Sequence, residues 1–306
     1  MTNYRSLGLS VYTEQGLPIT RKYKNFESTL MYNQATGFMT FLPKPETQTL
    51  NDFYSSSFMR GEKDPTPEDE YTEGMVNVAR GVINHMNHFS KRDKWRIYDV
   101  GCGYGALVWA WQKLGHDAYG NELNPTWVKE ANKYCDNSIF FGEVNDGLNE
   151  VQGGGIDLFL ISHVLEHVVD PAVILEAAAS RLSENGLIYV NTPNTKCTRV
   201  FANGRQTGID FGNFPMHLNF YTPASMKIIG ESCGLKVIQM ETRPFDEIDL
   251  VNEESQHEFR FKKRLLGGEL FTLFAKAGSD LAKQYGNKEL DEKIAITNEL
   301  FPIHSW

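Results

Sequence analysis

The sequence predicts an α/β protein: a mostly parallel sheet with helices on both of its faces. Three observations carry this. From Trp95 onward, short β-rich runs alternate with helical periods. Asn124-Pro125, Asp170-Pro171 and Thr222-Pro223 each set a capping side chain before a proline, the order that opens a helix. A glycine turn, Gly101-Cys102-Gly103-Tyr104-Gly105, joins the first strand of the series to a helix over Ala106–Leu114.

Before that series, residues 1–65 are rich in Tyr, Phe, Thr and Asn and lack a helical period. Short strands or loops fit them, for example at Phe38–Leu42, ahead of Pro43 and Pro45. Thr66-Pro67-Glu68-Asp69 reads as a helix start, and that helix should run to about His88. Met75, Val76, Val78, Ala79, Val82, Ile83 and Met86 give it an apolar stripe. The strands expected next are Arg96–Val100, Ala118–Asn121, Ser138–Phe141, Ile156–Ser162, Leu187–Asn191, Lys236–Glu241 and Leu270–Lys276. The clearest helix between them is Asp170–Leu182, with Val173, Ile174, Ala177, Ala178 and Leu182 on one stripe. In such a sheet the ligand belongs outside the carboxyl ends of the strands.

With 41% hydrophobic and 23% charged residues, the 306-residue chain has a globular composition, which excludes a disordered, collagen-like or coiled-coil protein. No run approaches the roughly 18 apolar residues of a membrane-spanning helix. The N-terminus, MTNYRSLGLS, lacks the apolar core of a signal peptide. Cys102, Cys135, Cys197 and Cys233 are scattered without a CxxC, as free thiols in a reducing cytoplasm would be. A net charge of −9 argues against a nucleic-acid partner. Much of it sits in residues 62–73, with six acids and one lysine, the pattern of a solvated helix start.

A glycine turn alone does not choose a ligand, because dinucleotide sites use one too. Here the spacing is GxGxG, with Ala106 where GxGxxG needs its last glycine. Asp99 lies two residues before Gly101, where it would repel a pyrophosphate and suit a cationic amino acid. The next strand ends at Glu122, an acid placed to take both hydroxyls of a ribose. The third ends at Phe141-Gly142-Glu143, where a side chain can meet an adenine edge.

Taken in order, these motifs resemble the class I S-adenosylmethionine (SAM)-dependent methyltransferases. Asp99–Gly105 is similar to their first motif and Gly120–Pro125 to their second. Ser162–Pro171, containing HVLEH, resembles one branch that includes ubiquinone-type O-methyltransferases and bacterial sugar- and polysaccharide-linked methyltransferases. Asn191-Thr192-Pro193-Asn194 and Met216–Pro223 resemble later segments of that branch, and Leu270–Lys276 resembles the antiparallel last strand of the fold. Gly37–Pro45 is similar to the lead-in of the bacterial relatives, without the cysteine zinc ribbon many of them carry. The resemblance implies a Rossmann-like, seven-stranded, mostly parallel sheet. It divides the chain into an N-terminal cap (1–94), a methyltransferase domain (95–277) and a C-terminal helical tail (278–306). It also implies SAM as cofactor, with S-adenosylhomocysteine (SAH) as product. Asp99, Gly101, Cys102, Gly103 and Gly105 would border its methionine part. Glu122 and Leu123 would hold the ribose, Glu143 would lie near the adenine, and Ser162 and His163 would stand where methyl meets acceptor.

An oxygen acceptor needs its proton removed, by a base or with a metal. His163, Glu166 and His167 fall at i, i+3 and i+4, and His217 follows 50 residues after His167. One reading makes His163, Glu166, His167 and His217 a divalent-metal site. It resembles the E-x-x-E-H pattern of ubiquinone-type and small-RNA 2′-O-methyltransferases, with His163 in place of the first Glu. More nitrogen ligands would favour a softer ion than magnesium. The other makes a histidine, His163 or His217, a general base, with His167 beside it. A third leaves Glu166 and His167 as braces of the turn. The string also mimics a zinc-protease motif, but it spans a strand end, not a helix.

Tyr54, Phe58 and Tyr71 are candidates for an aromatic lid over SAM, against the plainer reading as packed aromatics. Phe259–Arg264, basic with aromatic interleaving, can greet a phosphate-bearing substrate or form a solvated helix face. The tail ends in Leu300-Phe301-Pro302-Ile303, which can dock on the body or on a partner subunit of a homodimer. The expected activity is methyl transfer to a hydroxyl of a small molecule or saccharide in the cytoplasm. The rivals are an RNA ribose 2′-O-methyltransferase, a non-catalytic SAM-binding scaffold and an NAD oxidoreductase.

Overall fold

The computed structural model describes residues 9–11, 13–14, 17–55, 70–195, 214–243, 268–286 and 288–300. Phe58, the helix start at Thr66, Cys197, the basic patch 259–264 and the end of the tail at 301–303 lie outside the described residues.

The N-terminal region is a small antiparallel sheet. Its strands are β1 (Leu9–Val11), β4 (Thr20–Tyr23), β5 (Phe26–Asn33) and β6 (Met39–Leu42), while β2 (Thr13–Glu14) and β3 (Leu17–Pro18) pair as a separate hairpin. Strand β5 alternates in burial, as a half-buried strand must, and sends Leu30 and Tyr32 into a cluster with Ile19, Met39 and Phe41. Helix α1 (Thr47–Ser55) follows, a helix the sequence reading did not anticipate. Its buried residues Leu50 and Phe53 lie three apart, too short a stripe to stand out in sequence. A single unbroken helix to His88 is corrected: helix α2 (Glu73–Met86) starts after Thr72, whose backbone is extended and whose hydroxyl accepts from Met75 N.

The chain then runs β7 (Arg96–Val100), α3 (Ala106–Lys113), β8 (Asp117–Glu122), α4 (Pro125–Ala131), β9 (Ile139–Phe141), α5 (Val144–Glu150), β10 (Ile156–Ser162), α6 (Pro171–Arg181) and β11 (Leu182–Pro193). After β12 (Asn219–Phe220) come α7 (Pro223–Ser232), β13 (Leu235–Arg243), β14 (Glu269–Lys276), α8 (Asp280–Tyr285) and α9 (Lys288–Leu300). The three cap-then-proline signals each open a helix: Asn124 Oδ1 accepts from Thr126 N (3.0 Å), Asp170 Oδ1 from Ala172 N (3.1 Å) and Thr222 Oγ1 from Ser225 N (3.1 Å).

Seven strands form one sheet in the order β13-β14-β11-β10-β7-β8-β9. The five from β11 to β9 are parallel, and β14 is antiparallel to both β11 and β13. This is the Rossmann-like class I arrangement. One face is covered by α5, α6 and α7, and the other by α2, α3 and α8. Trp111, fully buried, donates its indole N–H to Ala79 O (3.2 Å) and so ties α3 to α2. Among the described residues, no helix is long and apolar enough to cross a membrane.

Strand β12 belongs to the N-terminal sheet, pairing Asn219 with Thr40 and Phe220 with Met39. The segment 216–221 therefore lies between the two sheets, at the carboxyl ends of the parallel strands. Helix α9 packs on α7, with Ile294 buried and Asp291 3.5 Å from Lys227 Nζ.

Candidate active site

The glycine turn leaves the carboxyl end of β7 with Gly101, Gly103 and Gly105 all at positive φ (65°, 57° and 71°). A Cβ on Gly101 would press Val164 at 3.0 Å and one on Gly105 would press Ile139 at 3.0 Å, so at these left-handed positions any other residue is both strained and crowded. A Cβ on Gly103 would meet nothing within 4 Å, which leaves that backbone open to a ligand. Glu122, at the end of β8, accepts from Gly103 N (3.0 Å) through one oxygen and from Leu123 N (2.8 Å) and Asn124 N (2.9 Å) through the other. The second acid and the glycine turn are thus physically joined. Asp99 is buried behind them. Burial, with the nearby Glu122 charge, pushes its carboxyl up to about 8.

The remaining cofactor-side candidates fall around this core. Cys102 donates its N–H to Asn121 O (3.0 Å), and burial raises its thiol above the ordinary range. Its Sγ would lie 2.8 Å from a Cβ on Gly120, so the thiol packs toward the sheet. Glu143 starts α5, its N–H held by Asp146 Oδ2 (3.0 Å), and burial raises its carboxyl. The lid candidates separate. Tyr71 stacks on Tyr134 with centroids 4.4 Å apart and donates its hydroxyl to Tyr104 O, bracing the outside of the glycine turn. Tyr54 of α1 stands edge-on to His167 and donates to Met216 O (3.1 Å), on the acceptor side.

Beyond Ser162, the last residue of β10, His163 takes a left-handed backbone (φ 52°), which a non-glycine residue adopts at a cost. Its Nδ1 lies 3.2 Å from Glu166 Oε1 and its Nε2 3.1 Å from Asn191 Nδ2. The Glu166 hydrogen bond raises the imidazole pKa, against the opposing effect of burial. Glu166 itself is buried, which would raise its carboxyl, but the bond from His163 and the nearby His167 outweigh this and hold it low. Its other oxygen accepts from Thr192 Oγ1 (3.0 Å).

Glu166, His167 and His217 place one ligand atom each within 4.8 Å of one another. His163 stands outside that group. His167 Nδ1 faces Met216 O at 2.9 Å; a carbonyl only accepts, so the proton is on Nδ1 and the Nε2 lone pair turns to the group. These donors suit a borderline ion such as zinc. A tetrahedral shell at about 2.1 Å would draw them to about 3.4 Å apart, within reach of small side-chain rotations.

Several residues that organise the site were not singled out by sequence. Asn219 donates to Leu165 O (3.0 Å) and Val168 O (2.8 Å), gripping the turn that carries Glu166 and His167. Its Oδ1 accepts from Thr40 Oγ1 (2.9 Å) and Lys44 Nζ (2.5 Å). Burial lowers the Lys44 pKa well below the usual lysine range, with the Asp170 charge opposing. Glu269, at the start of β14, lies 3.5 Å from His163 Nε2. Its only sequence signal was an acid after Gly267-Gly268 at the start of an apolar strand.

A family model described as a methyltransferase domain matches residues 71–240, more than half of the chain. The ubiquinone biosynthesis O-methyltransferase of Methylococcus capsulatus is 32% identical over 103 residues, which are 32% of this chain and 44% of that protein. A protein of the same name from Cupriavidus pinatubonensis is 24% identical over 164 residues, 51% of this chain and 66% of that one. The match to the first relative thus spans less than half of that protein's length. A solved SAM-dependent methyltransferase from Archaeoglobus fulgidus has 20% identity, covers 76% of this chain and 100% of its own, and superposes with a TM-score of 0.48. The match over residues 71–240, on a seven-stranded sheet of class I order, means that the chain belongs to the methyltransferase-domain family.

Proposed function

We propose that this protein is a SAM-dependent methyltransferase that moves a methyl group to a hydroxyl of a small molecule or saccharide, with His163 as the general base. The observation that carries the reading is the His163–Glu166 couple at the carboxyl end of β10, beside the glycine turn. The relatives named as O-methyltransferases support an oxygen acceptor.

In this reading residues 1–94 form the cap, 95–277 the methyltransferase domain and 278–306 the tail. Gly103 backs the methionine part of SAM, Asp99 meets its ammonium, Glu122 turns to the ribose and Glu143 lies near the adenine. SAM supplies a methyl on a sulfonium, and in transfer the carbon–sulfur bond breaks with its electron pair left on sulfur. The chain's part is positioning and proton removal. Glu166 holds Nδ1–H, which aims Nε2 at the acceptor. As the acceptor oxygen bonds the methyl carbon, Nε2 gives up its bond from Asn191 Nδ2 and takes the hydroxyl proton, and Glu166 stabilises the imidazolium.

The Glu166, His167 and His217 group favours a second reading of the same step. These three would hold a divalent ion, which would acidify the acceptor hydroxyl as a Lewis acid. An RNA acceptor fits less well with a net charge of −9.

The test is a tritiated-SAM screen against sugars, nucleotide sugars, catechols and RNA, with calorimetry of SAM, SAH and NADH beside it. SAM and SAH binding with label on a hydroxyl is expected. Binding of NADH alone would overturn the reading.

A further inference from the structure

The rim beside His163 holds more hydrogen-bond acceptors than donors. His163 commits its Nδ1 proton to Glu166, because a carboxylate there can only accept. In the neutral imidazole that a base requires, its Nε2 is then an acceptor, served by Asn191 Nδ2 at 3.1 Å, and Glu269 Oε2 lies 3.5 Å from the same nitrogen. Asn191 Oδ1 and Glu269 Oε2 are both buried, and neither has a hydrogen-bond partner among the described residues. Buried oxygens without donors are rare in folded proteins because their desolvation is uncompensated. Three acceptors therefore meet one donor at the place where strands β10, β11 and β14 end or begin together, with His163 half exposed above them. The missing groups are donors.

We propose that Glu269 is a specificity-determining residue that receives a second hydroxyl of the acceptor, adjacent to the one whose proton passes to His163. This rests on the O-methyl reading of the same site and names its substrate class: a compound with two neighbouring hydroxyls. The 3.5 Å between Nε2 and Oε2 suits hydroxyls on adjacent carbons, one to each acceptor. A carboxylate is the right group for this task. It accepts strongly, and it turns away analogues that present an ether or a bare carbon, which leave it buried without a donor.

The experiment measures methyl transfer from tritiated SAM to two matched pairs, with SAH affinity by calorimetry as the control on an intact site. One pair is catechol and phenol; the other is methyl glucoside and its 3-deoxy counterpart, which has no hydroxyls on adjacent carbons. The pair that is methylated tells an aromatic diol from a sugar diol. Wild type should favour the diol of that pair by tenfold or more in kcat/KM. Glu269→Ala should bring the two members within about twofold, mainly through KM, with SAH affinity unchanged. Glu269→Gln keeps an accepting oxygen in a side chain of the same size and should retain most of the preference. A preference that survives in Glu269→Ala, or is absent in wild type, overturns the role of Glu269 and leaves O-methylation standing. If SAH binds and no hydroxyl probe takes label, the O-methyl reading falls and the Glu269 role falls with it.

Discussion

His163 and Glu166 form a hydrogen-bonded couple, Nδ1 to Oε1 at 3.2 Å, although the turn between β10 and α6 has no regular structure to hold it. The couple survives because Glu166 is buried and clamped from Thr192. Glu166→Gln should lower kcat by about tenfold or more by misorienting the imidazole. SAH affinity should stay within twofold, since Glu166 does not touch the glycine turn. A Glu166→Gln enzyme with wild-type kcat would reduce the couple to a structural brace.

Base and metal are separable by chelation. If His163 is the base, turnover persists in EDTA and His163→Ala costs about 10²- to 10⁴-fold in kcat. If the ion at Glu166, His167 and His217 is required, EDTA abolishes turnover, added zinc or manganese restores it, and His167→Ala reproduces the loss. Turnover measured before and after dialysis against chelator decides between them.

If Asp99 meets the SAM ammonium as proposed, SAM binding depends on pH. Its carboxyl is pushed up to about 8, so at neutral pH it is mostly protonated, whereas the SAM ammonium calls for the carboxylate. Affinity should therefore rise as pH increases from 6 to 8, with proton release on binding, visible by calorimetry in buffers of different ionisation enthalpy. Stability follows the matching sign. The raised pKa contributes stability that is full below the unfolded value near 4 and is lost as pH rises through 8. Asp99→Asn should flatten both dependences, and Glu122→Ala should weaken SAM binding at every pH.

Tyr71 braces the glycine turn from outside through its bond to Tyr104 O. Tyr71→Phe keeps the stacking on Tyr134 and removes that bond together with the hydroxyl's contact to Cys135. A loss of about 1 kcal/mol in SAM affinity, roughly fivefold, is expected. An unchanged titration would make Tyr71 a packing residue alone.

Asn219 joins the N-terminal sheet to the turn that carries the catalytic candidates. Asn219→Ala would leave Val168 O without its donor, at a cost of about 1–3 kcal/mol when buried, while Leu165 O keeps the Tyr221 hydroxyl and Lys44 Nζ keeps Leu218 O. A clear fall in melting temperature and a lower kcat are expected together. Loss of kcat without loss of stability would mean that the turn moves while the fold does not.

The regular part of the fold was legible where local chemistry and pattern agree. Arg96–Val100 and Ile156–Ser162 are strands at the expected limits, and each cap-then-proline signal opened a helix. Helix α1 carries too short a stripe to show in sequence, and the break at Thr72 lies inside an acidic run that reads as helical. In the site, Glu122 and the glycines announced themselves by order along the chain. Glu269, Asn219 and Lys44 did not, since nothing near them in sequence says what they will touch.

The sequence by itself determined the class I order of elements, the glycine turn and the acids that end the strands, because periodicity, capping and glycine conformations act within a few residues. Only the tertiary structure decided that β12 joins the N-terminal sheet and that His163 parts from the Glu166, His167 and His217 group. It also decided that Glu269 comes to rest beside His163 Nε2. Those outcomes depend on contacts between segments far apart in the chain, and the energies that fix them are long-range packing and burial, which leave no local mark.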